Sequence, residues 1–317
     1  MVIKPGGQVF FLLSANFFLI IKVQECNFFN YRGWKEVKDK EKNVYFVFQS
    51  TLYISKKIFT PKTTVMNTSK KWIEHFKSNS LEQRVNWNLV PCISEIEVAT
   101  ILFSLQAWQL GETSDGSHLL RASTMYAKKL GDPDYVNAVT LFIKEEQKHG
   151  NNLGKYLDAI GKPRIKSDWG DSLFRKIRYF NTSMEIWTLA VITVESTAQI
   201  FYQCLKDATG CTLLKEICSD ILIDEAYHID FQTERLAIIF DAKSFIGKLL
   251  VRNFYTFFFF STALVVWVAH KAAFKAGGVN FKKYMRKMKY KYIKTINRAA
   301  CLRVKTNGLF QLLSRII

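Results

Sequence analysis

Two copies of the pattern Glu-x-x-His constrain the fold of this chain more than any other feature. They lie in the segments Glu146–His149 and Glu225–His228. Each follows a solitary glutamate, Glu112 or Glu195, by about the length of one long helix. Residues three apart on an α-helix project from the same face, so the Glu and His of each pair can reach one ion. Two such helices, with one carboxylate from each of two more, form the inward-facing ligand set of a di-metal four-helix bundle.

Helical periodicity and turn positions predict two helical hairpins of the same design. Apolar residues recur at helical spacing from about 93 to 126, and a second helix follows the turn at Gly131. The midpoint of Glu112 and Glu146 is residue 129, next to that turn, and the midpoint of Glu195 and Glu225 is Gly210. Ligands on antiparallel helices lie level only when the turn falls midway between them. Both spacings therefore predict paired ligands.

Glu195 is the only charged residue between Ile186 and Leu205. Burying a carboxylate in so apolar a helix is costly unless a cation, a proton or a hydrogen-bond network compensates the charge. Glu195 is therefore a candidate metal ligand.

Four carboxylates that converge in a dry core repel one another, and two divalent ions would balance their charge. We predict that Glu146 and Glu225 bridge both ions. Glu112 and His149 would complete the coordination shell of one ion. Glu195 and His228 would complete that of the other. Oxygen-rich ligation with one imidazole per ion predicts two iron ions, with manganese as the alternative.

An acidic residue directly precedes each motif glutamate. Metal-bound imidazoles commonly donate their second N–H to a carboxylate, so we expect Asp224 and Glu145 each to serve the histidine across the bundle. For Glu145, with Lys148 three residues on, a solvated helix face is the alternative. Tyr227 and Tyr202 lie close to the motifs in the sequence, and we interpret them as packing or hydrogen-bonding beside the site rather than as radical sites.

The order Glu, Glu-x-x-His, Glu, Glu-x-x-His resembles that of the ferritin-like superfamily of di-iron carboxylate proteins, which includes bacterioferritins, rubrerythrins and ribonucleotide reductase small subunits. Asp224–Asp230 is similar to the bacterioferritin form of the last motif, while Trp108–Gly116 and Glu145–Gly150 resemble an uncharacterised bacterial ferritin-like group. The resemblance covers residues 90–240. It implies a di-iron centre that reacts with dioxygen or peroxide. The chain lacks a rubredoxin-like four-cysteine module, which weakens a rubrerythrin assignment.

We therefore predict an all-α protein with a ferritin-like four-helix bundle over residues 86–245. An irregular N-terminal extension would occupy residues 1–85, and additional C-terminal helices residues 246–317. A start at Met66 would explain why the sequence becomes more regular there. The apolar run Val9–Ile21 lacks a small-residue cleavage site, which disfavours an export signal and favours a cytoplasmic location.

The C-terminal segment combines an apolar helix with a basic one. Asn253–Ala269 is uncharged and at the lower length limit for a membrane span. Residues 282–317 carry 11 basic and no acidic residues, whereas residues 86–281 carry 20 basic and 21 acidic ones. We favour packing of the apolar helix onto the bundle. The alternative is membrane association, in which the basic tail contacts an anionic membrane surface. The near-zero net charge of residues 86–281 argues against specific nucleic-acid binding.

The predicted function is that of an oxidoreductase that activates dioxygen or peroxide at a buried site of four glutamates and two histidines. It would need an electron donor, which the sequence does not identify, and a homodimer is compatible with it. Two alternatives stay open: non-enzymatic iron binding or storage, and a bundle whose metal is purely structural.

Overall fold

The computed structural model describes residues 68–170, 172 and 183–301, together with the backbone of five short strands in the first 48 residues. The proposed start at Met66, most of the connection between 171 and 182 and the tail beyond 301 lie outside these residues. The chain divides into two compact units, Met1–Thr60 and Pro61–Ile317.

The first unit contains two small antiparallel sheets. One has the order β1 (Val2–Lys4), β2 (Gln8–Phe10), β3 (Ile20–Lys22), and the other pairs β4 (Trp34–Lys38) with β5 (Val44–Phe48). This stretch was expected to be irregular. Val44-Tyr-Phe-Val-Phe48 is the clearest strand-forming sequence in it, since β-branched and aromatic residues favour extended backbone.

The described part of the second unit is helical, and its first hairpin begins with an interrupted helix. A helical run covers α2 (Glu95–Glu97), a π-helical turn (Val98–Leu102) and α3 (Phe103–Glu112). After a break come α4 (Ser117–Leu130) and α5 (Asp134–Ala159). Gly131 ends α4 in the left-handed conformation, with φ of 68°, at the predicted turn.

The continuous helix predicted from 93 to 126 is wrong, because the chain breaks after Glu112. Gly116 has φ of 66°, and the Asp115 side chain accepts a hydrogen bond from the backbone N–H of Ser117 at 3.0 Å. A Cβ at Gly116 would lie 2.7 Å from Ile143 of α5, so the break lies directly against the neighbouring helix. Turn-forming side chains at 113–116 thus prevail over the apolar periodicity.

The second hairpin joins α6 (Met184–Ala208) to α7 (Thr212–Asp241), which pack along each other. The predicted turn at Gly210 is present. Buried apolar residues such as Ile192, Phe201, Leu214 and Ile221 form the core between the two helices. Glu195 lies in this core and is 4% exposed.

Helix α1 (Ser69–Asn79) packs against α5, although the sequence analysis assigned residues 1–85 to an extension. The Trp72 indole N–H donates to Glu234 of α7 at 2.8 Å, and the Phe76 ring lies edge-on to Phe231. Helix α1 therefore bridges the two hairpins.

The additional C-terminal helices are confirmed as α8 (Phe245–Ala276) and α9 (Phe281–Cys301). Helix α8 packs along α6, and α9 contacts α6, α7 and α8. By length and composition alone, Ile246–Ala276 could also cross a membrane. Its inner face buries Tyr255 and Phe259, while Leu250 and Phe254 on the outer face stay exposed.

Candidate metal centre

The structure brings together all six residues that the sequence analysis selected as ligands. Each residue contributes one donor atom, and within each of two groups these atoms all lie within 4.8 Å of one another. One group is Glu112, Glu146, His149 and Glu225, and the other is Glu146, Glu195, Glu225 and His228. We call these six residues the Glu–His cluster. Glu146 and Glu225 belong to both groups, which is the arrangement of two ions that share two bridging carboxylates.

The donor atoms that face the centre of the Glu–His cluster lack hydrogen-bond partners. They are Glu146 Oε1, both Glu225 carboxylate oxygens, His149 Nδ1 and His228 Nδ1, and all are buried. His228 Nδ1 lies 2.7 Å from Glu146 Oε1 without the alignment of a hydrogen bond. Buried polar atoms normally have a hydrogen-bond partner. These unpartnered oxygen and nitrogen atoms therefore fit a role as ligands of bound cations.

The charges of the Glu–His cluster also require compensation when no ions are bound. Burial, followed by repulsion from Glu146 and Glu225, raises the pKa of Glu112 and of Glu195 well above its usual range. Burial also raises the pKa of Glu146, but His228 and His149 outweigh it and lower that pKa to about 2. Protons must therefore neutralise part of the cluster unless cations do so.

Two carboxylates orient the histidines from the opposite helix. His149 Nε2 on α5 lies 2.9 Å from Asp224 Oδ2 on α7, and His228 Nε2 on α7 lies 2.7 Å from Glu145 Oε2 on α5. Each contact occupies Nε2 and leaves Nδ1 facing the cluster. The crossed pairing has the geometry expected for Asp224 and Glu145, and it leaves neither acid on a solvated face.

A polar network outside these carboxylates was not foreseen. The Asn79 amide of α1 donates to Glu145 and, at 2.9 Å, to Asp224. Arg84 contacts Asp224 and donates to Asp220 at 2.6 Å. Lys148, considered above as a partner of Glu145, instead lies 2.8 Å from Asp224. Burial raises the pKa of Asp224, but His149, Lys148 and Asn79 outweigh it and hold the pKa far below its usual range.

The two tyrosines have different positions. The Tyr202 hydroxyl donates to Glu112 Oε1 at 2.6 Å, so it touches a member of the cluster. The expectation that Tyr227 lies beside the site is wrong. Tyr227 is 43% exposed and its ring lies 4.1 Å from that of His75. Because a helix turns about 100° per residue, the side chain two positions after Glu225 points to the other face.

An apolar cavity of about 230 Å³ adjoins the Glu–His cluster. Glu112, Glu146 and Glu195 lie in its wall. Most of the remaining lining is apolar and comes from several helices, including Trp108, Phe142, Trp187, Phe258 and Val265. The edge of the Phe142 ring packs against His228, with ring centroids 4.7 Å apart. The cavity therefore offers space for a small molecule next to the cluster.

No family model and no curated protein matches the chain, but solved structures of similar fold exist. A variant of an R2-like ligand-binding oxidase with an aerobically reconstituted Mn/Fe cofactor is 15% identical, with a TM-score of 0.52, over 75% of this chain and 94% of that one. The R2-like ligand-binding oxidase without metal cofactor is 14% identical, with a TM-score of 0.52, over 75% of this chain and 97% of that one. This chain has the ferritin-like fold.

At this level of identity the likeness establishes the ferritin-like fold. The support for metal binding comes from the chain's own carboxylate and imidazole atoms. The four segments that carry the Glu–His cluster are α3, α5, α6 and α7, as the sequence spacing predicts.

Proposed function

We propose that this protein is a di-metal carboxylate oxidoreductase that activates dioxygen or peroxide at the Glu–His cluster. The observation that carries the proposal is the pair of four-residue groups that share Glu146 and Glu225 and present unpartnered donor atoms. Four carboxylates also match the charge of two divalent ions. The residues present therefore fit a pair of metal ions.

The donor set favours iron, with manganese as the alternative. Each ion would receive three carboxylates and one imidazole, and ligation rich in oxygen with a single nitrogen suits both metals. The cysteines in the described ranges do not contribute to either group, which disfavours a thiolate-preferring ion. The solved structures of similar fold that carry a Mn/Fe cofactor agree with this choice.

The chain's own residues would orient the ligands and exclude water. When bound, the ions would supply Lewis acidity and electrons to dioxygen or peroxide. Asp224 and Glu145 hold the histidines with Nδ1 inward. Tyr202 holds one oxygen of Glu112 in place. Glu225, His149 and His228 have no exposed surface, which would keep bulk water away from them, while the Glu146 side chain is 20% exposed.

The apolar cavity supports an organic substrate with an apolar body. Its wall contains Glu112 and Glu195, one terminal ligand for each proposed ion, so a molecule bound there would lie beside both. Trp108 and Trp187 supply aromatic surface for such a molecule. An electron donor would act from outside the cavity.

Metal analysis of the reconstituted protein tests the proposal. Purified protein is loaded with ferrous iron, desalted and measured by elemental analysis and optical spectroscopy. We expect about two iron ions per chain. Glu146→Ala and Glu225→Ala each remove a ligand that both ions share, so each variant should retain fewer than about one ion.

Glu74→Ala is the matched control, because Glu74 is an exposed glutamate on α1 outside the cluster. It should bind iron like the unaltered protein. Circular dichroism must show that all variants remain helical. The proposal fails if the unaltered protein retains less than one ion or if both shared-ligand variants retain full occupancy.

Reactivity with peroxide or dioxygen distinguishes an oxidoreductase from an iron-storage protein and from a bundle with a structural metal. The proposal predicts repeated consumption of peroxide or dioxygen when an artificial electron donor is supplied. Consumption that stops after one equivalent, in a large hollow assembly, would indicate iron storage. Metal that stabilises the fold without any reaction would indicate a structural role.

A further inference from the structure

A second cavity, of about 670 Å³, lies between α6 and α9, outside the Glu–His cluster. We call it the basic groove. Its size falls within the range of about 300–1,000 Å³ that is common for small-molecule sites. Its polar lining consists mainly of four cations from α9 and two amides from α6, namely Lys283, Arg286, Lys287, Lys291, Gln199 and Gln203.

The four cations face the groove because of their spacing. Positions 283, 286, 287 and 291 follow the three- and four-residue steps that place side chains on one face of a helix. The adjacent, inner face of α9 is apolar and buries Tyr284 and Met288 in the core. The cationic face is therefore held at a fixed distance from α6.

The positive charge of the groove is not neutralised by the described residues. None of them forms an ion pair with the four cations. The one acid in the lining is Asp207, which is exposed and accepts a hydrogen bond from Gln203 at 2.8 Å. The lining thus carries an excess of three positive charges.

The uncompensated positive charge of the groove destabilises the charged form of Lys291. Burial, followed by repulsion from Lys294 and Lys287, lowers the pKa of its ammonium group to about 8, although Glu225 acts in the opposite direction. A partly buried ammonium without a partner is unfavourable, and an anion in the groove would restore the lost interaction.

We propose that the basic groove binds a phosphate-bearing anion. Arginine offers a planar fork for two phosphate oxygens, and the lysines supply further charge-assisted hydrogen bonds. The amides of Gln199 and Gln203 can donate from the opposite wall. The exposed ring of Tyr290 lies at the edge of the groove, where it would contact the organic part of a phosphate ester.

The phosphate can belong to a soluble ester or to a lipid headgroup, and two titrations distinguish these sources. The full-length, metal-loaded protein is titrated with inorganic phosphate and with glycerol phosphate in a low-salt buffer, and binding is followed by calorimetry. In parallel, the protein is sedimented with vesicles of phosphatidylglycerol or of phosphatidylcholine. Saturable binding of a soluble probe supports a soluble ligand. Binding only to phosphatidylglycerol vesicles supports the headgroup.

A pair of double variants with equal charge tests the location. Lys287→Gln with Lys291→Gln removes two cations of the groove. Lys282→Gln with Lys289→Gln removes two exposed lysines of the same helix that do not line it. The first pair should weaken binding about ten-fold or more, since each charge-assisted hydrogen bond contributes appreciably. The second pair should change it less than about three-fold, through general electrostatics alone.

Three results would overturn the proposal: no binding of any probe, an equal loss in both double variants, or equal sedimentation with both kinds of vesicle without binding of a soluble probe. Thermal unfolding and iron content are measured on each variant. If the first double variant does not fold, Lys287→Gln alone replaces it, with Lys289→Gln as its control. Both replaced lysines are exposed. Iron content should be unchanged in every variant, so failure here is separable from failure of the proposed metal centre.

Discussion

At the scale of single residues, Asp224 joins the metal centre to the rest of the molecule. It accepts hydrogen bonds from His149, Lys148 and Asn79 and contacts Arg84. These partners come from α5, from α1 and from the segment after α1. Its carboxylate is fully buried, and within the described part of the chain these partners compensate its charge.

We expect Asp224→Asn to weaken both metal binding and folding. Replacing the carboxylate that orients His149 with a neutral amide should lower iron affinity about 10- to 100-fold. Loss of the Asp224 charge should also lower the free energy of unfolding by about 1 kcal/mol, because Lys148 and Arg84 are partly exposed and keep Asp220 as a partner. Competition with a chelator and urea denaturation measure the two effects. Asp241→Asn, at an exposed position of the same helix, should change neither.

The two tyrosines provide a matched comparison. Tyr202→Phe removes the hydroxyl that donates to Glu112, so it should lower the free energy of unfolding by about 1 kcal/mol and alter the optical spectrum of the iron-loaded protein. Tyr227→Phe removes an exposed hydroxyl and should leave both unchanged. Equal effects in the two variants would contradict the assigned contact.

Sequence spacing was sufficient to predict that the six cluster residues lie together, because helix periodicity and turn position jointly determine which side chains meet. The same periodicity should have excluded Tyr227. Asn79 could not be found in this way, since it is 145 residues from Asp224 and a lone asparagine near a helix end suggests only a surface position.

At the scale of elements, Glu97 connects the start of the first bundle helix to the turn of the second hairpin. It completes a capping box with Ser94, and it accepts hydrogen bonds from Thr209 at 2.6 Å and from the backbone N–H of Gly210 at 2.8 Å. Burial raises the pKa of Glu97, but these donors outweigh it and lower the pKa to about 2.

Glu97→Gln should therefore destabilise the protein in a pH-dependent way. A depressed pKa stabilises the folded state above the unfolded value of about 4.5, and this contribution is lost as pH falls toward 2. At pH 7 the cost should be about 1–3 kcal/mol, the lower figure allowing for solvent screening. Urea denaturation should show the gap between variant and parent narrowing from about pH 5 downward. A constant gap would contradict the assignment.

The helices themselves were largely predictable, and their interruptions were not. Gly131 and Gly210 mark turns that the structure has. The break before Gly116 carried a signal in Thr113-Ser-Asp-Gly116, but the apolar stripe that continues to Leu119 outweighed it in the sequence analysis. The docking of α1 depends on contacts with α5 and α7 that no local pattern encodes.

At the scale of the whole molecule, metal removal should change how stability depends on pH. Burial raises the pKa values of Glu112 and Glu195. The pKa values of His149 and His228 are raised as well, because the surrounding acids outweigh the burial that would lower them. Raised pKa values stabilise the folded state at low pH, and this contribution is lost as pH rises from about 5. Groups with depressed pKa values, such as Glu146, add a constant contribution above that pH.

The metal-free protein should consequently have a lower melting temperature at pH 8 than at pH 6. Iron replaces the protons, so the increase in melting temperature on loading should be larger at pH 8. Thermal unfolding of both forms at the two pH values measures this. A metal-free protein whose melting temperature rises from pH 6 to pH 8 would contradict the assigned protonation.

The contacts of Asn79 also have a consequence for biosynthesis. Asp224 is added 145 residues after Asn79, a delay of roughly 7 to 29 seconds at translation rates of about 5–20 residues per second. Glu112, Glu146 and His149 are all made before the second hairpin, and Glu225 and His228 follow only with α7. Both four-residue groups need Glu225, so neither is complete before α7 has been made, and Asn79, made before any of them, reaches Asp224 only then.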